Sequence, residues 1–98
     1  ANVIPAEFGL AQNYPNPFNP STAISYDVAK SAHVSIRVYD LLGRMVAQLV
    51  DGVQAPSKYT IHWNAAGLSS GTYLYRIDAQ NQDGSGTFTS VKKLMLVK

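Results

Sequence analysis

The feature that most constrains this chain is a two-residue alternation of apolar side chains, which recurs along its whole length. The three-to-four spacing of an amphipathic helix is nearly missing. Successive side chains of a pleated strand point to opposite faces, so alternation marks a strand with one face buried. Thr22 to Val28 sets Ile24, Tyr26 and Val28 against Ser25 and Asp27. His33 to Tyr39 turns Val34, Ile36 and Val38 inward, Lys58 to Asn64 groups Tyr59, Ile61 and Trp63, and Thr72 to Ala79 groups Tyr73, Tyr75 and Ile77. Met45 to Val50 and Thr87 to Val97 are also strand-like, and a strand near Phe8 to Asn13 makes a seventh. The apolar residues of the last run change phase near Val91, where a bulge or bend is expected. The shared phase predicts a core of Ile24, Tyr26, Val34, Ile36, Val38, Ile61, Trp63, Tyr73 and Ile77.

The joints between these runs have turn chemistry. In Asp40-Leu41-Leu42-Gly43 an Asp can bond its own backbone at the first turn position, and a Gly tolerates the left-handed conformation at the last. A tight hairpin is expected, with Gly43 at positive φ. Asp51-Gly52 and Asp83-Gly84-Ser85-Gly86 read as further turns, and Asn64-Ala65-Ala66-Gly67 is compatible with a short helical turn. Seven short strands with turns at this spacing predict an all-β fold, an immunoglobulin-like antiparallel β-sandwich. Such sandwiches often carry a corner Tyr that bonds back to its preceding loop. Tyr73, after Leu68-Ser69-Ser70-Gly71-Thr72, is the candidate, with ordinary core packing the competing reading.

Tyr14-Pro15-Asn16-Pro17-Phe18-Asn19-Pro20 cannot be a central strand, because each Pro fixes φ and removes a backbone donor. It is expected to be a rigid crossing between the first and second strands, anchored by Tyr14 and Phe18. A disordered linker, the alternative, would not need those two aromatics.

A length of 98 residues allows one domain and leaves no surface for a second. Residues 1–7 read as a linker or N-terminal extension and 8–98 as the domain. Charged residues are 14% of the chain, below the roughly 25% of ordinary domains, so the surface must be rich in neutral polar groups. A net charge of +2 is too small to point to nucleic acid. The charge is uneven, however: Lys92, Lys93 and Lys98 crowd the last eight residues without an acid, either to meet an acidic partner or to keep an edge strand soluble. With no Cys, neither a disulfide nor a thiolate metal site can form. Nothing resembles a signal peptide or an apolar span of about 18 residues, so a membrane-spanning segment is not expected and, if the protein is exported, its signal peptide is expected outside this sequence.

Chemistry is sparse. His33 and His62 fall at outward strand positions and suggest no third metal ligand. The six acids are scattered, with no calcium-loop spacing and no pair set for acid–base work. No cofactor and no metal are expected. Trp63 shares its face with Tyr59 and Ile61, which argues for core over an exposed sugar-stacking platform.

Four pieces of the chain, in order, resemble a known family. They are Tyr14-Pro15-Asn16-Pro17-Phe18-Asn19-Pro20-Ser21-Thr22, Val38-Tyr39-Asp40-Leu41-Leu42-Gly43-Arg44, Gly67-Leu68-Ser69-Ser70-Gly71-Thr72-Tyr73 and Lys92-Lys93-Leu94-Met95-Leu96-Val97-Lys98. Together they resemble the type A C-terminal sorting domain of the bacterial type IX secretion system. They are also similar to the immunoglobulin-like domain of flagellar hook-capping proteins. The resemblance implies a non-catalytic tag on an N-terminal cargo. Such a tag is read in the periplasm by the outer-membrane translocon, often cut by a sortase-like protease, and leaves the cargo at the cell surface or outside the cell. It marks Lys92 to Lys98 as the recognition segment. Pro15, Asn16, Pro17, Asp40, Gly43, Arg44, Gly71 and Tyr73 are its structural motif residues. The stretch Val53 to Lys58 departs from the pattern in lacking a Gly. The competing function is a structural accessory module, a spacer or weak sugar binder, attached to a secreted enzyme.

Overall fold

The structure is a computed structural model that describes residues 4–98. Seven strands form among the described residues: β1 (Gly9–Leu10), β2 (Ser21–Val28), β3 (Ala32–Tyr39), β4 (Met45–Gln54), β5 (Ser57–Asn64), β6 (Gly71–Asn81) and β7 (Thr87–Leu96). They pair antiparallel in two sheets, one ordered β1-β2-β5 and the other β4-β3-β6-β7. The expected all-β sandwich is therefore present. Of the 1–7 extension, residues 1–3 lie outside the described residues.

The alternation places the core where expected along β2, β3 and β6. Ile24, Tyr26, Val34, Ile36, Val38, Tyr73 and Ile77 are buried. Ile61 and Trp63 are only half-buried, which corrects their place in the predicted core. Both lie on β5, the outer strand of the smaller sheet, where one flank of each side chain has no neighbouring strand to cover it. Trp63 tilts against Phe18 with 6.0 Å between ring centres. At the other end of the sheet Tyr26 and Tyr59 stack at 5.3 Å.

Two local expectations fail. Asp51-Gly52 is not a turn but lies inside β4, which continues to Gln54 before Ala55-Pro56 leads into β5. Pro56 cannot extend a ladder, and it ends the run where the Asp-Gly pair does not. The register of β7 against β6 is unbroken from Gly71↔Leu96 to Gln80↔Thr87, so Val91 marks no bulge. The phase change arises because Val91 and Met95 point outward while Lys92 takes an inward, half-buried position. An inward charge on an edge strand is a recognised guard against pairing with another chain. The irregularities lie instead in the β3–β4 pairing, between Ile36 and Arg37 and between Val38 and Tyr39.

Candidate functional site

The β3–β4 turn is built as its sequence predicts. The Asp40 N–H donates to the Arg44 carbonyl at 2.9 Å and the Gly43 N–H to the Asp40 carbonyl at 3.0 Å. Gly43 stands at φ 89°, in the left-handed region. A turn followed by a left-handed Gly is a standard three-residue hairpin connection. The Asp40 carboxylate accepts from the Leu42 and Arg44 amides, each at 2.9 Å, and from Arg44 Nε at 2.8 Å. The Arg44 amide, followed by the other donors, holds the Asp40 carboxyl below its ordinary range. Leu41 and Leu42 are left exposed at the tip.

Tyr73 forms the corner: its hydroxyl donates to the Ser69 carbonyl, and its ring is buried in the core. Gly71, at the start of β6, pairs with Leu96. Pro15, Asn16 and Pro17 lie in the crossing between β1 and β2, where the peptide bonds before Pro15, Pro17 and Pro20 are cis. Phe18 is buried as an anchor, whereas Tyr14 is exposed and only its backbone bridges to Ala23, which corrects its expected role.

The crossing settles on β7. Phe18 and Leu96 form a parallel bridge, in which the Phe18 N–H donates to the Met95 carbonyl and the Val97 N–H to the Phe18 carbonyl, both at 2.9 Å. The Met95 N–H donates to Asn16 Oδ1 at 2.9 Å, and the Gln12 amide nitrogen donates to the Lys93 carbonyl. A terminal strand offers a free backbone edge only where no other segment pairs with it. From Lys93 to Val97 that edge is already occupied.

Side chains of the expected recognition segment are divided accordingly. Leu94 and Leu96 are core, Lys92 is half-buried on the inward side, and Lys93 and Met95 project outward. Val97 is exposed, and Lys98 donates through its amide to Ser70 Oγ at 3.0 Å and through Nζ to the Ala66 carbonyl at 2.9 Å.

A buried polar cluster beneath the crossing was not anticipated. Asn13, nearly inaccessible, donates through Nδ2 to the Pro15 carbonyl and to Thr22 Oγ1, and Thr22 in turn donates to the Pro15 carbonyl. Tyr75 reaches the same segment from the opposite sheet: its hydroxyl accepts from the Asn13 N–H at 2.8 Å and donates to the Ala11 carbonyl at 2.7 Å. Burial pushes the Tyr75 hydroxyl up to about 12, and the Asn13 bond offsets only part of that. The one sequence signal for this cluster was an Asn placed just before the Tyr-Pro pair.

His33 and His62 are exposed, as expected, and His33 Nε2 lies 2.8 Å from Asp51 Oδ1 across the β3–β4 pair. Among the described residues no three His, Asp or Glu side chains converge as metal ligands. Among the described residues no helix is long and apolar enough to cross a membrane.

Comparison with known proteins follows the same lines. Residues 12–95 match the family described as secretion system C-terminal sorting domain. No curated protein matches. Among solved structures, dimeric latent PorU from Porphyromonas gingivalis aligns with a TM-score of 0.69 and 24% identity, over 88% of this chain and 9% of PorU. CopC from Methylosinus trichosporium OB3b aligns with a TM-score of 0.60 and 16% identity, over 92% of this chain and 93% of CopC. PorZ, an essential surface component of the type IX secretion system of P. gingivalis, aligns with a TM-score of 0.51 and 19% identity, over 93% of this chain and 11% of PorZ. At these identities the structures share the fold. The chain spans about a tenth of the two Porphyromonas proteins.

Proposed function

The chain belongs to the secretion system C-terminal sorting domains, and on that premise we propose that it is the address by which the type IX route carries a cargo, joined ahead of it, across a bacterial outer membrane. Domains of this family are non-catalytic and direct larger proteins to the cell surface or beyond. The finer reading is passage through the periplasm, engagement by the outer-membrane translocon and removal by a sortase-like protease. The domain would comprise residues 8–98, with residues 1–7 joining it to the cargo. The observation that carries this is the family match from residue 12 to residue 95, which spans nearly every element of the sandwich.

The segment Lys92 to Lys98 remains the proposed recognition element, in a narrower form. Leu94 and Leu96 build the core, and the backbone edge from Lys93 to Val97 is taken. A partner that reads the folded domain therefore meets the side chains of Lys93, Met95 and Val97. Sugar binding finds no support, because Trp63 leans on Phe18 and forms no exposed aromatic platform with Tyr59.

The test is fusion of the chain to the C-terminal side of a periplasmic reporter in a type IX-competent bacterium. Surface delivery of the fusion is expected, with no delivery in a strain lacking the translocon. Retention of the fusion in the periplasm of the competent strain would refute the reading.

A further inference from the structure

We propose that the outward face of the four-stranded sheet beside the β3–β4 turn docks a carboxylate-rich protein surface of the secretion apparatus, an inference that rests on the sorting reading above. Two motifs far apart in the sequence meet there. The register places Tyr39 beside Leu74 and Leu74 beside Lys93, and in the next row Arg37 beside Arg76 and Arg76 beside Val91. Tyr39, Asp40, Leu41, Leu74, Arg76 and Val91 line one shallow depression, and the Asp40 carboxylate there is already engaged by Arg44 and the turn amides. Around it Leu41 is 65% exposed, Leu42 83%, Met45 54% and Val91 51%. Isolated apolar residues are normal on a surface, whereas a cluster of them marks an interaction site.

The charges identify the occupant. Arg37 and Arg76 stand directly opposite each other on neighbouring strands, an arrangement of like charges that destabilises a sheet. Asp78 pairs with Arg76 at 3.0 Å, whereas Arg37 forms no ion pair among the described residues and donates at 3.3 Å to the neutral Gln48 side chain, which in turn bonds Asp51. Lys93 has no acidic partner among the described residues. The face thus keeps uncompensated positive charge next to exposed apolar groups. Carboxylates on a partner would relieve the Arg–Arg repulsion while the apolar cluster is covered. A second copy of this chain would instead set the same cations against one another across a two-fold axis. A neutral sugar would leave the repulsion as it is.

The experiment is the reporter fusion carrying Arg37→Gln, or Arg37→Glu together with Arg76→Glu, against a control with Lys30→Glu and Lys58→Glu. Charge reversal on the face is expected to lower surface delivery by about tenfold or more, and the control to change it less than about twofold. Arg37→Gln should also lower delivery, yet the thermal midpoint of the purified chain should hold or rise, because a repulsion has been removed. A purely structural role predicts the opposite pairing, with lost stability and intact delivery. If the unaltered fusion is not delivered, the sorting reading falls and this inference with it. If the fusion and its Arg37→Gln variant are delivered equally, only the docking proposal is overturned. Sedimentation of the chain with vesicles of phosphatidylglycerol and phosphatidylethanolamine, lost in Arg37→Gln, would assign the face to lipid and overturn the proposed protein occupant.

Discussion

The two edge strands of the four-stranded sheet are finished in opposite ways. β7 is closed by residues remote in sequence: Gln12 reaches Lys93 across 81 positions and Asn16 reaches Met95 across 79. Among the described residues β4 pairs with β3 alone, and it is set by a turn whose partners, Asp40 and Arg44, are four positions apart. A local turn carries its instructions within a few residues. A remote clasp forms only once both sheets exist, so its stability depends on the whole fold. The β4 edge relies instead on surface devices, namely the irregular pairing with β3 and the exposed Asp51 carboxylate, which discourage another strand from adding.

The largest expected contrast between the edges is in packing. Phe18→Ala should cost about 3–5 kcal/mol in urea unfolding, because a buried ring that holds the crossing on β7 is removed. Val53→Ala, on the exposed side of β4, should cost less than ~0.5 kcal/mol. Similar losses at both sites would erase the distinction between a clasped and an open edge.

Next comes removal of Val97 and Lys98. Terminal residues usually contribute little, but these two supply bonds to Phe18, Ser70 and Ala66. The expected cost is about 1–3 kcal/mol in the same assay. A shift below ~0.5 kcal/mol would mean that the clasp ends at Met95. Because the deletion perturbs the fold, loss of export on deletion would not by itself identify a recognition signal.

Gly43→Val tests the local side. At φ 89° a branched side chain is strained even though open space surrounds the position. The penalty should be about 1–2 kcal/mol. Amide exchange at Met95 should stay at the rate set by global unfolding, with no extra opening of the clasp. Selective loss of protection at Met95 would show that the two edges are coupled.

The smallest effect is acidic. Asp40 has a folded-state pKa below its ordinary value of 3.8, so its contribution is present above that value and is lost as pH falls through the lower one. Asp40→Asn should flatten the decline of the thermal midpoint in that acid range. An unchanged acid limb in the variant would show that the turn's charge does not influence the sheet.

The same contrast explains what could be read from the sequence. The strands were legible because alternation is written locally, and the β3–β4 turn was legible because Asp40 and Gly43 each have a conformational reason to be where they are. Asp51-Gly52 misled for the same reason: a local turn signal was outvoted by continued pairing with β3. Trp63 was assigned to the core by phase, but phase does not report that β5 lies at the side of its sheet. The outward Val91 and Met95 looked like a bulge because apolar residues are assumed to face inward. The clasp, the Asn13–Thr22 cluster and the meeting of Tyr39 with Leu74 and Lys93 were illegible, because each joins residues whose separation has no pattern in the chain.

The parallel sense of the Phe18–Leu96 bridge bears on how the domain resists force. Tension between a protein attached ahead of Gln12 and a hold on the chain after Val97 would slide the crossing and β7 past each other along their length. The bonds of Phe18, Met95 and Val97 would then carry the load together, whereas a hairpin pulled apart at its open end loses its bonds one by one. Hauling from the cargo end is therefore expected to leave the domain folded up to a force at which several bonds rupture at once. Single-molecule pulling should show Asn16→Ala lowering that force, and an unchanged rupture force would show that the load bypasses the clasp.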